Sequence, residues 1–309
     1  MVEYQDSSST LEKLTLLVYI IGIVIGHICI FLTFIGHADR KHWSNIFILG
    51  MAFIDLFIGG FVLPMRFINA YGNPSTQKLC TALKIGESCA LAAVIYSILF
   101  MIYTRLYSLK QPSPTIRRHY LLLLLLISWI ILFLFYGIPF MTNYSHYLLS
   151  ITSNTTSYCT PYITSIYHPL WMAYTEIGII YSLPLIFIFI GLIYLLQNLC
   201  HLRSRRLKLA ERSIYVEQRQ MTWHIFLLGI TFIFLYLPWI SIRILIIFLQ
   251  SSEIRLALQI TYYILILKSL IFPLIYASTN ASFRCSFAIY RRQRIIMNNR
   301  VWTINEQFR

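Results

Sequence analysis

Five ionisable residues stand in otherwise apolar surroundings: Asp55, Glu87, Glu176, Arg243 and Lys268. A charge at a bilayer centre costs about 2.5–3.5 kcal/mol on insertion scales, so each must face protein and find a partner. The chemistry such residues offer is charge pairing and ligand recognition. Asp55 and Lys268 fall at similar depth, and the Lys268 ammonium is expected to pair with the Asp55 carboxylate. Glu87 and Glu176 fall in one outer layer. Two carboxylates in one layer favour a cationic ligand: a biogenic amine, a diamine or the basic end of a peptide. Tyr236, Trp239 and Tyr262 offer the aromatic faces that attract cations. The structural alternative is that Arg243 or Lys84 neutralises these glutamates. The eight histidines show no metal-binding spacing such as H-E-x-x-H, and no nucleophile–base pair stands out, so no metal, cofactor or enzymatic activity is expected.

These residues need a scaffold, and the composition sets its kind. The chain has 309 residues, of which 58% are hydrophobic and only 12% charged. An average soluble domain is about 25% charged. The mean hydropathy is +0.68. Seven apolar stretches are each long enough to cross a hydrocarbon core of about 30 Å, which takes about 20 residues. They run at about 13–37, 44–71, 77–109, 118–140, 168–200, 218–249 and 255–277. An isolated span in lipid must satisfy its own backbone, so all seven are expected to be helices. An amphipathic stretch over 281–293 carries Phe283, Phe287 and Tyr290 with Arg284, Arg291 and Arg292 beside them, which suits a helix in the membrane interface. The expected fold is an all-α integral membrane bundle of seven transmembrane helices with this short interfacial helix after the seventh. Residues 1–12 form the outer terminus, 13–280 the bundle, and 281–309 the cytoplasmic helix and tail.

Charge sets the orientation. The net charge is +14. Eighteen of the 25 basic residues fall in 37–43, 105–118, 201–219 and the tail, whereas 141–167 has none. The latter side is outside, so the N-terminus is extracellular and the tail cytoplasmic. The basic excess is a positive-inside signature with attraction to anionic lipid, and nucleic acid is not needed to explain it. The polar N-terminus lacks a basic start and an A-x-A-like cleavage site, so no cleaved signal peptide is expected. Asn143 and Asn154 head glycosylation sequons in the loop assigned to the outside. No internal repeat marks a transporter.

Single residues at spaced positions then join into a pattern. Asn45 precedes Asp55 within AFIDLFIGGFVLP. Cys80 opens the third stretch, and Thr104-Arg105-Leu106 closes it, with Pro112 beyond. Trp129 and Pro139 mark the fourth, Cys159 the second outer loop and Pro184 the fifth. The sixth reads Phe232-x-x-x-Tyr236-x-Pro238, and the seventh Phe272-Pro273-x-x-Tyr276. In this order they resemble the rhodopsin-like (class A) G-protein-coupled receptors over about residues 20–293. The DLFIGGFVLP run is weakly similar to amine receptors. The departures are Thr104 and Leu106 flanking Arg105, Tyr236 in place of a tryptophan, Phe272 in place of an asparagine, His27 where the first helix usually has asparagine, and Leu192 where the fifth often has tyrosine.

The resemblance implies a plasma-membrane receptor with a small extracellular ligand, amine or peptide, and a heterotrimeric G protein as partners. A lipid ligand, or a non-signalling decoy or scaffold, is the alternative. It implies a disulfide between Cys80 and Cys159, against the alternative of two free thiols. It makes Arg105 the residue that faces the G protein; Cys80 and Arg105 lie 25 positions apart, about 37 Å of helix, which spans the core. The family's ionic latch on this arginine is missing, because Thr104 and Gln218 stand at the acid positions, although Glu217 is a possible substitute. High basal activity is expected. In amine receptors of the family, a carboxylate at the place of Glu87 binds the ligand ammonium. In the family, the helix 2 aspartate and polar neighbours hold sodium; Val94, Lys268 and Phe272 make this pocket less suited to it, so Lys268 is expected to replace the ion. Phe232, Pro238, Pro273 and Tyr276 are the implied switch positions. Cys285 is a candidate for palmitoylation.

Overall fold

The computed structural model describes residues 2–36, 44–71, 77–110, 118–141, 174–204, 209–249 and 252–279. Among them, seven helices are long and apolar enough to cross a membrane: Lys13–Phe34, Ile46–Ile68, Ile85–Leu109, His119–Ile138, Glu176–Cys200, Arg219–Phe248 and Leu256–Thr279. All seven coincide with the expected stretches, and the described residues contain no strand. Asn143, Asn154, Cys159, Cys285 and the stretch 281–293 lie outside the described residues. Cys80 lies on the third helix, but its side chain, like those of Lys84, Glu217 and Gln218, is outside them too.

The first helix extends further than its apolar window, over Val2–Gly36. Nothing in residues 2–12 is Gly or Pro, so a helix nucleated in the span continues outward. The sixth helix, Leu209–Phe248, likewise runs for 40 residues. That is about 60 Å, twice the hydrocarbon thickness.

Neighbouring spans pack in order around the third, Gln77–Lys110, which touches the second, fourth, fifth and sixth. The sixth and seventh share the most extensive contact, and the seventh closes back on the first. Gly22 and Gly26 make that closure possible. They form a small-xxx-small pair on the first span. A Cβ on Gly22 would run into a Leu270 methyl, and one on Gly26 would lie 2.8 Å from the Pro273 ring. The outward faces of the first, fourth and fifth spans are apolar and exposed, as lipid contact requires.

Two spans change winding next to a proline. The second runs as α-helix over Ser44–Phe57, π-helix over Ile58–Val62 and α-helix over Leu63–Tyr71. The fifth has a π segment over Glu176–Ser182 before α-helix Leu183–Ser204. In each, the proline is the second residue after the π segment: Pro64 and Pro184. A proline removes one donor and pushes against the carbonyl four residues back, and a wider turn relieves both. The extra residue also rotates the side chains that precede or follow it. Glu176, which opens the second of these segments, and Arg66, which follows the first, are the charged groups so re-aimed.

Candidate functional site

The deepest polar cluster joins the first, second and seventh spans. Asp55 is 2% exposed. Its Oδ1 accepts from Lys268 Nζ at 2.8 Å and from Ser269 Oγ at 2.7 Å. Its Oδ2 lies 3.3 Å from His27 Nε2, an ion-pair distance with the ring out of line for a good hydrogen bond. The Asp55–Lys268 pairing expected from depth is therefore present. Pro273 cannot donate to the carbonyl of Ser269, so the helix is weakest where this cluster is densest. A cavity of about 20 Å³ adjoins Asp55 and Lys268 and is otherwise lined mainly by apolar side chains, including Val94, Phe232 and Phe272. It has room for about one water.

The layer that the loop charges assign to the outer side holds two glutamate–arginine pairs. Glu87 receives Arg66 Nη2 on both oxygens, at 2.9 and 2.7 Å, and the Tyr262 hydroxyl on Oε1. The Arg66 guanidinium also lies over the Tyr262 ring, 4.2 Å from its centroid. Glu176 Oε1 accepts from Arg243 Nη1 at 3.1 Å, from the Tyr136 hydroxyl at 3.1 Å and from the Tyr181 hydroxyl at 3.3 Å. Arg243 stacks over Trp239 at 4.8 Å, and Tyr181 meets Trp239 edge-on at 5.2 Å.

This corrects the expectation of two carboxylates available to a cation. Each already holds a guanidinium, and an ammonium would have to displace one. Arg243 neutralises Glu176, as the structural alternative held. The partner of Glu87 is Arg66, which the sequence alone does not single out. It sits close to the outer end of the second span, where a basic residue reads as interfacial; the usable signal is its place at the depth of an unpaired glutamate. Tyr136 is missed for another reason: one tyrosine in an apolar helix carries no sign of its partner.

Below this layer, the Tyr236 hydroxyl donates to the backbone oxygen of Leu91 at 2.9 Å, tying the sixth span to the third. Phe232 stacks on Tyr236 with centroids 4.0 Å apart. Pro238 lies inside the sixth helix between Tyr236 and Arg243.

At the opposite end of the bundle Arg105 is 8% exposed, and its Nε donates to Thr222 Oγ1 on the sixth span at 2.9 Å. Thr104 bonds within its own helix, to Met101 O. His224 on the sixth span is hydrogen-bonded to Thr279 on the seventh, and its ring meets Tyr276 edge-on at 5.6 Å. Tyr276 in turn packs against Phe34 of the first span. Thr222 and His224 thus tie the sixth span to the third and the seventh, and no motif marks either.

A family model described as 7 transmembrane receptor (rhodopsin family) matches residues 26–276. The chain belongs to the rhodopsin family of seven-transmembrane receptors. No curated protein matches it. As a rhodopsin-family receptor it is a multi-pass plasma-membrane protein.

The family departures acquire structural content in this receptor. Phe272, in place of asparagine, lays its ring 5.6 Å from that of His27. Tyr236, in place of tryptophan, adds a hydroxyl that reaches the third span. Leu192, in place of tyrosine, fills the space against Gly229, where a Cβ would lie 2.7 Å from a Leu192 methyl.

Proposed function

We propose that this receptor, with its N-terminus outside, binds an extracellular ligand in the outer half of the bundle and activates a heterotrimeric G protein through Arg105. The observation that carries this reading is the bond from buried Arg105 to Thr222. It joins the third span to the sixth at the face that the basic loops place in the cytoplasm. Outward movement of the sixth span breaks the bond and uncovers the guanidinium. Pro238 supplies the place to bend, since it lacks the donor for the carbonyl of Phe234. A ligand favours that form to the extent that it binds it more tightly.

The ligand reading rests on Glu87, Glu176, Arg66, Arg243, Tyr236, Trp239 and Tyr262. The described donors to Glu176 all fall on Oε1, while Oε2 has none among the described residues. A ligand donor, from an ammonium, amide or hydroxyl, satisfies it. The two guanidiniums favour a ligand that also carries an acidic or carbonyl group, so an amino-acid-like or peptide end fits this layer better than a simple amine. Asp55 and Lys268 form the core beneath, the ammonium standing where the family holds sodium. Asp55 is then not a metal ligand in this chain.

The test is nucleotide exchange on G proteins in membranes from cells expressing the full chain. Wild-type membranes are expected to show agonist-independent exchange that Arg105→Ala removes. Equal exchange in wild type, Arg105→Ala and untransfected membranes, with no response to amines, amino-acid derivatives, peptides or lipids, would overturn the signalling reading in favour of a decoy.

A further inference from the structure

The outward face of the sixth span changes character along its length. Arg219, Gln220 and Trp223 are exposed at the end that carries Thr222, and Phe234 and Leu237 are exposed toward the middle. Positions 219, 223, 230, 234 and 237 follow one another at steps of four, seven, four and three, so they lie in one stripe along the helix. From Arg219 to Ile230 the helix rises about 16 Å, close to one leaflet of a 30 Å core. The stripe is therefore polar over its first turn and apolar above it, as an amphiphile is.

Arg219 differs from the other basic side chains described. Arg66 and Arg243 hold glutamates, Arg105 holds Thr222, and Lys268 holds Asp55. Lys13 is engaged as well. Arg219 is exposed and has no partner among the described residues. The described acidic side chains stand elsewhere. Asp55, Glu87 and Glu176 each face a cation on another span, and Glu253 opens the seventh helix at the opposite end of the bundle. The charge of Arg219 is thus left for something outside the bundle to meet.

Trp223 adds a second contact point. It is 46% exposed and stacks on the buried Phe226 ring with centroids 5.6 Å apart, which holds its plane. Helical side chains lean toward the N-terminus of their helix, so the indole leans toward Arg219 and the membrane surface. Neither its N–H nor the Gln220 amide bonds any of the described residues. A guanidinium, an amide and an indole N–H therefore stand within about 6 Å of helix as donors. A phosphodiester is the complementary acceptor, because its two free oxygens match the arginine fork.

We infer that Arg219, Gln220 and Trp223 form a binding site for the headgroup of an anionic phospholipid, with the acyl chains lying along the apolar stripe above. A choline headgroup brings its own cation beside Arg219, where no described carboxylate receives it. A headgroup of net negative charge brings none. Thr222 and Trp223 are neighbours in sequence and face opposite ways, one buried against Arg105 and the other outward. The lipid thus sits one residue from the contact that closes the sixth span on the third. The inference rests on the proposed orientation only for which leaflet supplies the lipid, the cytoplasmic one. It does not rest on signalling, and its test uses none.

The full chain is reconstituted in nanodiscs of phosphatidylcholine with a minor fraction of phosphatidylglycerol, and bromine is placed on the acyl chains of one lipid or the other. Bromine quenches indole fluorescence on contact. The chain has six tryptophans, so the share of Trp223 is read as the difference between wild type and Trp223→Phe. Brominated phosphatidylglycerol is expected to quench that share about fivefold more than its mole fraction alone would, the enrichment to which the attraction of one arginine for anionic lipid converts. Arg219→Gln is expected to return quenching to the mole fraction. Quenching in proportion to mole fraction in the wild type overturns the inference, because it leaves a snorkelling arginine in unselected lipid. An equal preference in wild type and Arg219→Gln overturns it as well, because the selectivity then belongs to other groups. Should Trp223→Phe not fold, mass spectrometry of the receptor released intact from the nanodisc counts the phosphatidylglycerol retained by wild type and by Arg219→Gln, a change confined to an exposed side chain. Fewer retained molecules in the variant are expected, and equal numbers overturn the inference.

Discussion

Arg105 on the third span donates through Nε to Thr222 on the sixth, 2.9 Å away, and the acceptor is a neutral hydroxyl. A hydrogen bond between two neutral groups contributes about 0.5–1.5 kcal/mol net, and one in which a partner is charged, as the guanidinium is here, about 1.5–3 kcal/mol. Thr222→Val keeps the shape and removes the acceptor. Agonist-independent nucleotide exchange is expected to rise about tenfold or more, the lower end of what a bond from a charged donor converts to. Unchanged exchange, with the variant at wild-type density in the membrane, would show that this bond does not restrain the sixth span.

The Arg66–Glu87 pair joins the second span to the third, with the Arg66 nitrogen 2.7 Å from Glu87 Oε2 and both side chains largely buried. Removing one member of a buried pair strands the other, at about 3–5 kcal/mol, whereas replacing both with apolar side chains is often close to neutral. Arg66→Met and Glu87→Leu are each expected to lower the unfolding temperature of the reconstituted receptor by several degrees. The double variant is expected to recover most of that loss. Additive losses would mean that the two residues act independently and that Glu87 is available as a free carboxylate.

How far the sequence carries the fold and the site follows from what each depends on. The spans and their order are legible because hydrophobic length is a one-dimensional property. The Asp55–Lys268 pair is legible because two opposite charges at one depth in lipid have few other solutions. The π segments are not, since the residues of Ile58–Val62 and Glu176–Ser182 read as ordinary apolar helix and only the following prolines hint at the change. Arg66 and Thr222 are not, because a residue near a helix end has solvent or lipid headgroups as an equally good reading until its neighbours in space are known. The aim of Glu176 at Arg243, Tyr136 and Tyr181 depends on one extra residue of winding, which no pattern of residue types reveals.

Lys268 lies 2.8 Å from Asp55 Oδ1, and the proposed reading gives it the place of a mobile cation. Exchange of sodium for a large organic cation is then expected to leave the unfolding temperature of the wild type unchanged. Lys268→Ser removes the ammonium and leaves a hydroxyl beside the Asp55 carboxylate. That variant is expected to be destabilised by several degrees and to recover part of the loss when sodium is supplied. A wild type that is itself stabilised by sodium would mean that the ion enters despite the lysine. A variant insensitive to sodium would mean that the cluster does not present a cation site once Lys268 is gone.

Pro238 sits where the restraints on the sixth span change character. Outside it, Arg243 is ion-paired to Glu176 of the fifth span. Just inside it, Tyr236 holds the third span through Leu91 O. Further in, the described bonds to Thr222 and His224 involve neutral hydroxyls, those of Thr222 itself and of Thr279. Bending at Pro238 moves the inner half at the expense of these bonds. A proline inside a helix costs about 3 kcal/mol through its missing donor and its clash with the preceding turn. Pro238→Ala restores the donor for the carbonyl of Phe234 and stiffens the helix. It is expected to raise the unfolding temperature while lowering both basal and ligand-stimulated nucleotide exchange several-fold. Its combination with Thr222→Val separates bending from latching. If Pro238 is the hinge, the alanine variant suppresses the rise that Thr222→Val produces alone. If exchange in the double variant matches that of Thr222→Val, the sixth span moves as a rigid body, and the bend at Pro238 has no part in uncovering Arg105.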